Sequence, residues 1–141
     1  MKRVFLYILI LASLLFVPLE RVEIGKLKPV QGVCIYEENG EIILETDTND
    51  RGIGGSVEEA LRDMKQKSEG IIYLDTAQYL LVTGEENQIA ALKQHLKGSV
   101  RVCKWSGNGD VLHAIRYADA HKIGIKLKDW QDDGNMPKLP I

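Results

Sequence analysis

The feature that most constrains this chain is an apolar run near its N-terminus. Residues 4–19 carry no charged side chain, and Lys2 and Arg3 precede them. A basic start followed by an uncharged apolar stretch is typical of segments that direct export or hold a protein in a membrane. The run also lacks a polar face with which a helix could lie on a water-exposed core. We therefore expect residues 1–19 to be a signal or membrane-anchor segment that contacts the membrane through residues 4–19.

The sequence leaves open whether this segment is removed after export. Cleavage requires small residues just before the cut, but Ala12 and Ser13 lie inside the apolar run and residues 18–21 do not suit a cleavage site. An anchor near the lower limit of about 17 residues is long enough to remain. An uncleaved anchor is favoured, with the domain on the extracytoplasmic face of the cell membrane, as the positive-inside rule predicts.

Length and composition bound the remainder of the chain. The 141 residues are 45% hydrophobic and 27% charged, which suits one globular domain with its own core. The formal net charge of -2 gives no reason to expect a nucleic acid as partner. We expect a polar connector over residues 20–29, a single domain over residues 30–130 and a flexible tail over residues 131–141, where Gly134, Pro137 and Pro140 interrupt regular structure.

Hydrophobic periodicity and turn residues predict the elements of the domain. Two alternating stretches flank Asn39-Gly40, the sequence of a tight hairpin turn. A polar, glycine-rich loop over residues 47–55 leads to a helix that Ser56 and Glu59 would open as a capping box. A third strand, interrupted at residues 75–77, is predicted over residues 71–74 and 78–83, a fourth over residues 100–105, and a short final strand or extended arm over residues 123–130. Further helices are predicted over residues 85–97 and 110–121. The order ββαβαβαβ indicates an α+β fold, a two-layer sandwich of a mixed sheet with helices on one face, preceded by the N-terminal apolar helix.

The glycine-rich loop supplies the candidate ligand-binding residues, which are Arg51, Gly54, Gly55 and Ser56. They precede a helix N-terminus, where free backbone N–H groups can hold an anion. The segment Gly52-Ile-Gly-Gly-Ser56 matches neither of the glycine-rich phosphate motifs, G-x-x-x-x-G-K-[ST] and G-x-G-x-x-G. A flexible loop leading into a capped helix explains the same residues, so both interpretations stay open.

No metal site, cofactor site or catalytic arrangement is predicted. The stretch over residues 47–52 has a calcium-loop spacing in part, but Arg51 occupies a ligand position. His113 and His121 are eight residues apart, whereas two zinc ligands on a helix need a spacing of four. No serine lies in a G-x-S-x-G elbow. We therefore expect a protein that is not an enzyme.

Cys34 and Cys103 are the two cysteines, and both lie in apolar strand-like runs. In an exported domain they can form one disulfide. Two buried thiols that pack as small hydrophobic side chains fit the same pattern. The sequence does not decide between these two possibilities.

Four stretches of the chain resemble one known family. The first is a helix similar to the family's T-x-x-E-A-L helix with a basic end, SVEEALRDMKQKSEG, and the second is an apolar strand that ends in Gly-Glu, IIYLDTAQYLLVTGEE. The third is a strand followed by a glycine turn and the start of a helix, VRVCKWSGNGDVLHAI. The fourth is the hairpin VQGVCIYEENGEIILET. Together they resemble the N-terminal domain of the Ger(x)C family, the C subunit of spore germinant receptors, over roughly residues 20–118. The resemblance implies a Gram-positive spore former, an extracytoplasmic position at a membrane and a non-catalytic role in assembling a membrane complex.

Two functions follow as hypotheses. The first is a membrane-associated interaction module in spore germination or sporulation, which docks onto protein partners or onto further copies of itself through its helix layer or a free sheet edge. The second is an exported ligand-binding domain that uses the loop from Gly52 to Ser56.

Overall fold

The computed structural model describes residues 2–16, 27–84, 86–132 and 135–141. An N-terminal helix, α1 (Lys2–Phe16), precedes a domain of mixed α+β structure. Within these described ranges, no helix has both the length and the apolar character needed to cross a membrane. Residues 17–19 of the predicted anchor lie outside the described residues.

Eight strands and three further helices form the described part of the domain. The strands are β1 (Leu27–Pro29), β2 (Gly32–Glu38), β3 (Glu41–Thr46), β4 (Arg51–Gly54), β5 (Ile71–Tyr73), β6 (Tyr79–Val82), β7 (Arg101–Lys104) and β8 (Ile125–Lys126). The helices are α2 (Val57–Lys67), α3 (Ile89–Leu92) and α4 (Val111–His121).

The main sheet has six strands in the order β4-β3-β2-β6-β7-β8. The central strands β2, β6 and β7 are parallel, and the outer pairs are antiparallel. A separate parallel ribbon joins β1 to β5. The connector predicted over residues 20–29 is therefore wrong at its end, because Leu27–Pro29 pairs as a strand, while residues 20–26 lie outside the described residues.

Helices cover both faces of the sheet, so the predicted two-layer arrangement with helices on one face is wrong. Leu80 and Val82 of β6 lie in a core cluster with residues of α2 and α3. Tyr79 and Leu81 of β6 lie in a second cluster with residues of α4. All four residues of β6 are buried. A strand that is buried on both faces needs apolar cover on each of them. The domain therefore has three layers, which are α2 with α3, the main sheet, and α4.

The hairpin and the capped helix are confirmed. Asn39 and Gly40 have φ angles of 54° and 78°, the left-handed pair that a two-residue hairpin turn requires. The Ser56 side chain accepts a hydrogen bond from the Glu59 N–H at the start of α2. Asp110 caps α4 in the same way, through the N–H of Leu112.

Three predicted segments differ from the structure. In the segment over residues 123–130, only Ile125–Lys126 pairs as a strand, and a 3-10 turn follows over Leu127–Asp129. The loop over residues 47–55 contains strand β4, which pairs with β3 from Glu45 opposite Arg51 to Ile42 opposite Gly54. The helix over residues 85–97 is reduced to a 3-10 turn and the short α3. No side chain caps the start of α3, so its first backbone N–H groups gain no local partner of that kind.

The C-terminal tail is docked rather than flexible, which corrects the prediction for residues 131–141. The Lys104 N–H donates to the Pro137 carbonyl at 2.8 Å, and the Leu139 N–H donates to the Lys104 carbonyl at 2.7 Å. Met136 and Leu139 are 8% and 1% exposed. Proline and glycine excluded regular structure here, but they did not exclude burial of the side chains between them.

We predict that Leu139→Ala lowers the free energy of unfolding by about 2–5 kcal/mol, the usual cost of truncating a fully buried leucine. Lys138→Ala is the control, because Lys138 is exposed, and a surface change of this kind shifts stability by less than about 0.5 kcal/mol. Urea unfolding followed by tryptophan fluorescence measures both variants. Equal stability of the two variants would show that the tail is not docked.

Candidate functional site

The glycines of the predicted ligand loop serve the packing of α2 against β4. A Cβ on Gly52 would overlap the Ala60 carbonyl oxygen, and a Cβ on Gly54 would lie 2.6 Å from the Ala60 nitrogen. Any larger residue at either position would push the helix away from the strand. Gly52 and Gly54 therefore have a structural role that does not involve a ligand.

The backbone N–H groups around this strand already have carboxylate partners. Ile53 N–H donates to Asp63 Oδ2 at 2.9 Å, and Gly55 N–H donates to Glu59 Oε2 at 2.9 Å. The reciprocal bond of the capping box thus reaches Gly55, one residue before the cap at Ser56. The acidic side chains of α2 occupy the places that a bound anion would take. These contacts give no support to an anion site at Gly54, Gly55 and Ser56.

The hydrogen bond to Asp63 also occupies a backbone N–H of β4, which is one of the two edge strands of the six-stranded sheet. Lys67 Nζ lies 2.7 Å from Asp63 Oδ2. The hydrogen bonds from Lys67 and from the Ile53 N–H lower the pKa of Asp63, so its charged form is favoured. An N–H of an edge strand that is held in this way is not available to pair with a strand of another molecule.

Arg51 is separated from the rest of the predicted ligand loop. Its Nε lies 3.4 Å from Glu45 Oε1, and the Tyr36 hydroxyl donates to the same oxygen at 2.7 Å. Glu45 is opposite Cys34 in the β2–β3 register, and Cys34 belongs to the core cluster of the α4 face. Arg51 therefore lies on the α4 face of the sheet, whereas α2 covers Gly52 and Gly54 from the other face. The structure does not bring the four predicted residues into one site.

Glu45 belongs instead to a polar cleft beside the carboxyl ends of the parallel strands. The cleft has a volume of about 370 Å³ and is lined by Tyr36, Glu45, Thr83, Trp105, Ser106, Gly107 and Gly109. Thr83 directly follows β6 and Trp105 directly follows β7. Ligands of open α/β sheets bind outside the carboxyl ends of the strands. We take this cleft as the candidate functional site.

Two groups at or beside the cleft, the Tyr36 phenol and the Cys34 thiol, keep their protons near neutral pH. Burial, and then the hydrogen bond to Glu45, raise the pKa of Tyr36 to about 12. Burial raises the pKa of the Cys34 thiol, which lies 4.0 Å from Thr83 Oγ1, to about 12. A neutral phenol, a threonine hydroxyl and a carboxylate can donate and accept hydrogen bonds to a polar ligand or peptide. The signal for this site in the sequence is the residue that directly follows each apolar strand, namely Thr83 after β6 and Trp105 after β7.

The cysteines are too far apart for the disulfide that was one of two predictions. In the sheet register, Leu81 of β6 lies between Cys34 of β2 and Cys103 of β7. Two strand spacings put their Cα atoms about 10 Å apart, beyond the limit of about 7 Å for a disulfide. Both are buried free thiols in the core cluster of the α4 face.

The described residues contain no group of three or more His, Cys, Asp or Glu side chains that could hold a metal ion. Of the three histidines, His121 contacts Tyr117 in a tilted arrangement, with ring centroids 4.3 Å apart. His95 lines a separate groove between α2 and the segment after α3.

Comparison of the chain with protein-family models, with curated proteins and with solved structures finds no match.

We predict that Gly52→Ala destabilises the protein by about 1–3 kcal/mol, because the added methyl group overpacks the contact between β4 and α2. Gly55→Ala is the matched control, since its Cβ would meet only the end of the Glu59 side chain, at 3.2 Å. Urea unfolding compares the two variants. If Gly52→Ala were as stable as Gly55→Ala, the close contact between strand and helix would be wrong.

Proposed function

We propose that this protein is a non-catalytic interaction module at the extracytoplasmic face of the cell membrane, where it helps to assemble a spore germination or sporulation complex. The observation that carries the proposal is the surface of α1. Ten large hydrophobic side chains of this helix are 48% to 79% exposed. They are Val4, Phe5, Leu6, Tyr7, Ile8, Leu9, Ile10, Leu11, Leu14 and Leu15.

The exposure of ten large hydrophobic side chains to water is unfavourable, so α1 is more stable in lipid than in water. Burying one such side chain contributes about 1.5–3 kcal/mol relative to leaving it in water, so α1 gains strongly from an apolar environment. The Ser13 hydroxyl donates to the Leu9 carbonyl at 2.8 Å, which satisfies this polar group within the helix. Because α1 alone does not meet the length of a membrane-spanning helix, the proposed crossing uses the whole uncharged run of residues 4–19. Lys2 and Arg3 favour a cytoplasmic N-terminus, which puts the domain outside.

The role in germination or sporulation is supported by the resemblance to the Ger(x)C family. Three of the stretches that carry it form α2, the β5–β6 segment, and β7 with the start of α4. These elements include the central strand β6, its neighbour β7 and parts of the helices that cover β6 on each face. The resemblance therefore concerns the centre of the domain.

The contact with protein partners is assigned to the helix layer formed by α4. At the two edges of the main sheet, the Ile53 N–H of β4 is bonded to Asp63, and the docked tail pairs with Lys104 at the end of β7, next to the short β8. The outer surface of α4 exposes His113 and Arg116, and the half-buried Tyr117 lies beside Arg116 in the sequence. Tyrosine and arginine are the residue types that most often dominate protein interfaces. A protein of the membrane complex or a second copy of the chain is the partner.

We predict that Ile8→Asp shifts the partition of the protein from the membrane fraction to the soluble fraction by about a hundredfold, because a carboxylate at the centre of an inserted helix costs about 2.5–3.5 kcal/mol. Ile8→Leu is the matched control and remains in the membrane fraction. Western blotting of fractionated cells measures the distribution.

The same two variants test the role in spores when each is expressed in a strain that lacks the gene. We expect Ile8→Leu to restore spore yield and germination rate, and Ile8→Asp to fail in at least one of them. Normal yield and germination in the deletion strain itself would contradict the proposed role, whatever the fractionation shows.

A further inference from the structure

A second exposed apolar surface lies on the ribbon of β1 and β5. Outside α1, the large hydrophobic side chains that are exposed among the described residues are Ile71, at 47%, and Tyr73, at 42%. They flank the buried Ile72 on β5 and so share the outer face of that strand. Leu27 is opposite Ile71 in the parallel register, and Pro29 is opposite Tyr73. We call these four side chains the ribbon face.

The ribbon is fixed to the domain through its other side. Ile72 is 7% exposed and belongs to the core cluster of the α2 face. Lys28 Nζ, next to Ile72 in the register, pairs with Asp50 Oδ1 at 3.3 Å. Val30 N–H donates to the Tyr73 carbonyl at 3.2 Å. The ribbon face therefore has a fixed orientation relative to the six-stranded sheet.

The ribbon is also the part of the domain to which α1 connects. Helix α1 ends at Phe16 and β1 begins at Leu27. The ten intervening residues can span about 36 Å when fully extended. With α1 inserted in a membrane, the chain holds the ribbon face within that distance of the end of the helix.

We propose that the ribbon face rests on the lipid–water interface of the membrane that receives α1. This inference rests on the proposed membrane attachment of α1. Tyrosine is enriched at this depth, where its ring is in apolar surroundings and its hydroxyl is hydrated. Pro29 has no backbone N–H that would need a partner there. The apolar side chains of Leu27 and Ile71 lose their contact with water.

Seating the ribbon face orients the rest of the domain. The ribbon lies near the amino end of β2, which runs from Gly32 to Glu38. At about 3.3 Å per residue, the hairpin turn at Asn39 lies more than 20 Å further along the strand. The cleft lies between the ribbon and the hairpin turn, since Tyr36 is four residues, or about 13 Å, from Gly32 along β2. The hairpin turn, rather than the cleft, is the part of this strand farthest from the membrane.

The test uses the full chain in phosphatidylcholine vesicles, with and without a nitroxide-labelled phosphatidylcholine that quenches fluorescence. An environment-sensitive fluorophore is attached to Asp75→Cys, an exposed position two residues from Tyr73. The control is Glu41→Cys, an exposed position at the hairpin turn. Cys34 and Cys103 are 1% and 0% exposed and do not compete for the label. A third variant adds Ile71→Ser and Tyr73→Ser to Asp75→Cys.

We expect the nitroxide lipid to quench the label at position 75 severalfold and to leave the label at position 41 unchanged. We also expect the Ile71→Ser, Tyr73→Ser variant to sediment with the vesicles but to lose most of the quenching. If the protein sediments with the vesicles but both labels are quenched equally, or the label at position 75 is not quenched, the proposed contact of the ribbon face with the membrane is wrong. Either result leaves the attachment through α1 standing. A chain that does not sediment with the vesicles would overturn the attachment through α1, and the ribbon contact with it.

Discussion

The central strand β6 sets the requirement that the rest of the domain meets. Its four residues, Tyr79 to Val82, are all buried, and its neighbours on both sides are parallel strands. A strand in this position needs apolar cover on both faces. The helices α2 and α3 supply it on one face and α4 on the other. The carboxyl ends of β2, β6 and β7 then meet at one edge, where the polar cleft around Glu45 lies.

Local signals in the sequence predicted the elements that local chemistry determines. The Asn39-Gly40 turn defined the hairpin, because both residues tolerate positive φ angles. Ser56 and Asp110 marked the starts of α2 and α4, since each supplies an acceptor for a backbone N–H near the helix start. The apolar run at residues 78–83 predicted the strand that forms β6. The order of elements suggested two layers, and the third layer follows from the burial of β6 on both faces.

What the sequence did not predict depends on contacts between distant segments. Gly52 and Gly54 resembled a flexible ligand loop, but their role is to let α2 approach β4, which no local pattern reveals. Arg51 is next to Gly52 in sequence and yet contacts Glu45 on the opposite face, because side chains alternate along a strand. The tail contains the residues of a loop, and its order comes from hydrogen bonds to Lys104, more than thirty positions away. The cleft is assembled from residues of several strands in the same way.

In the proposed function, an apolar N-terminal helix holds a domain outside the membrane, and this domain offers the surface of α4 and the cleft to partners. The most direct test is the labelling of Glu41→Cys with a membrane-impermeant maleimide in intact protoplasts, since this position is exposed and both native cysteines are buried. We predict that the thiol is labelled without lysis, to the same extent as after lysis. Labelling that occurs only after lysis would place the domain in the cytoplasm and contradict the account.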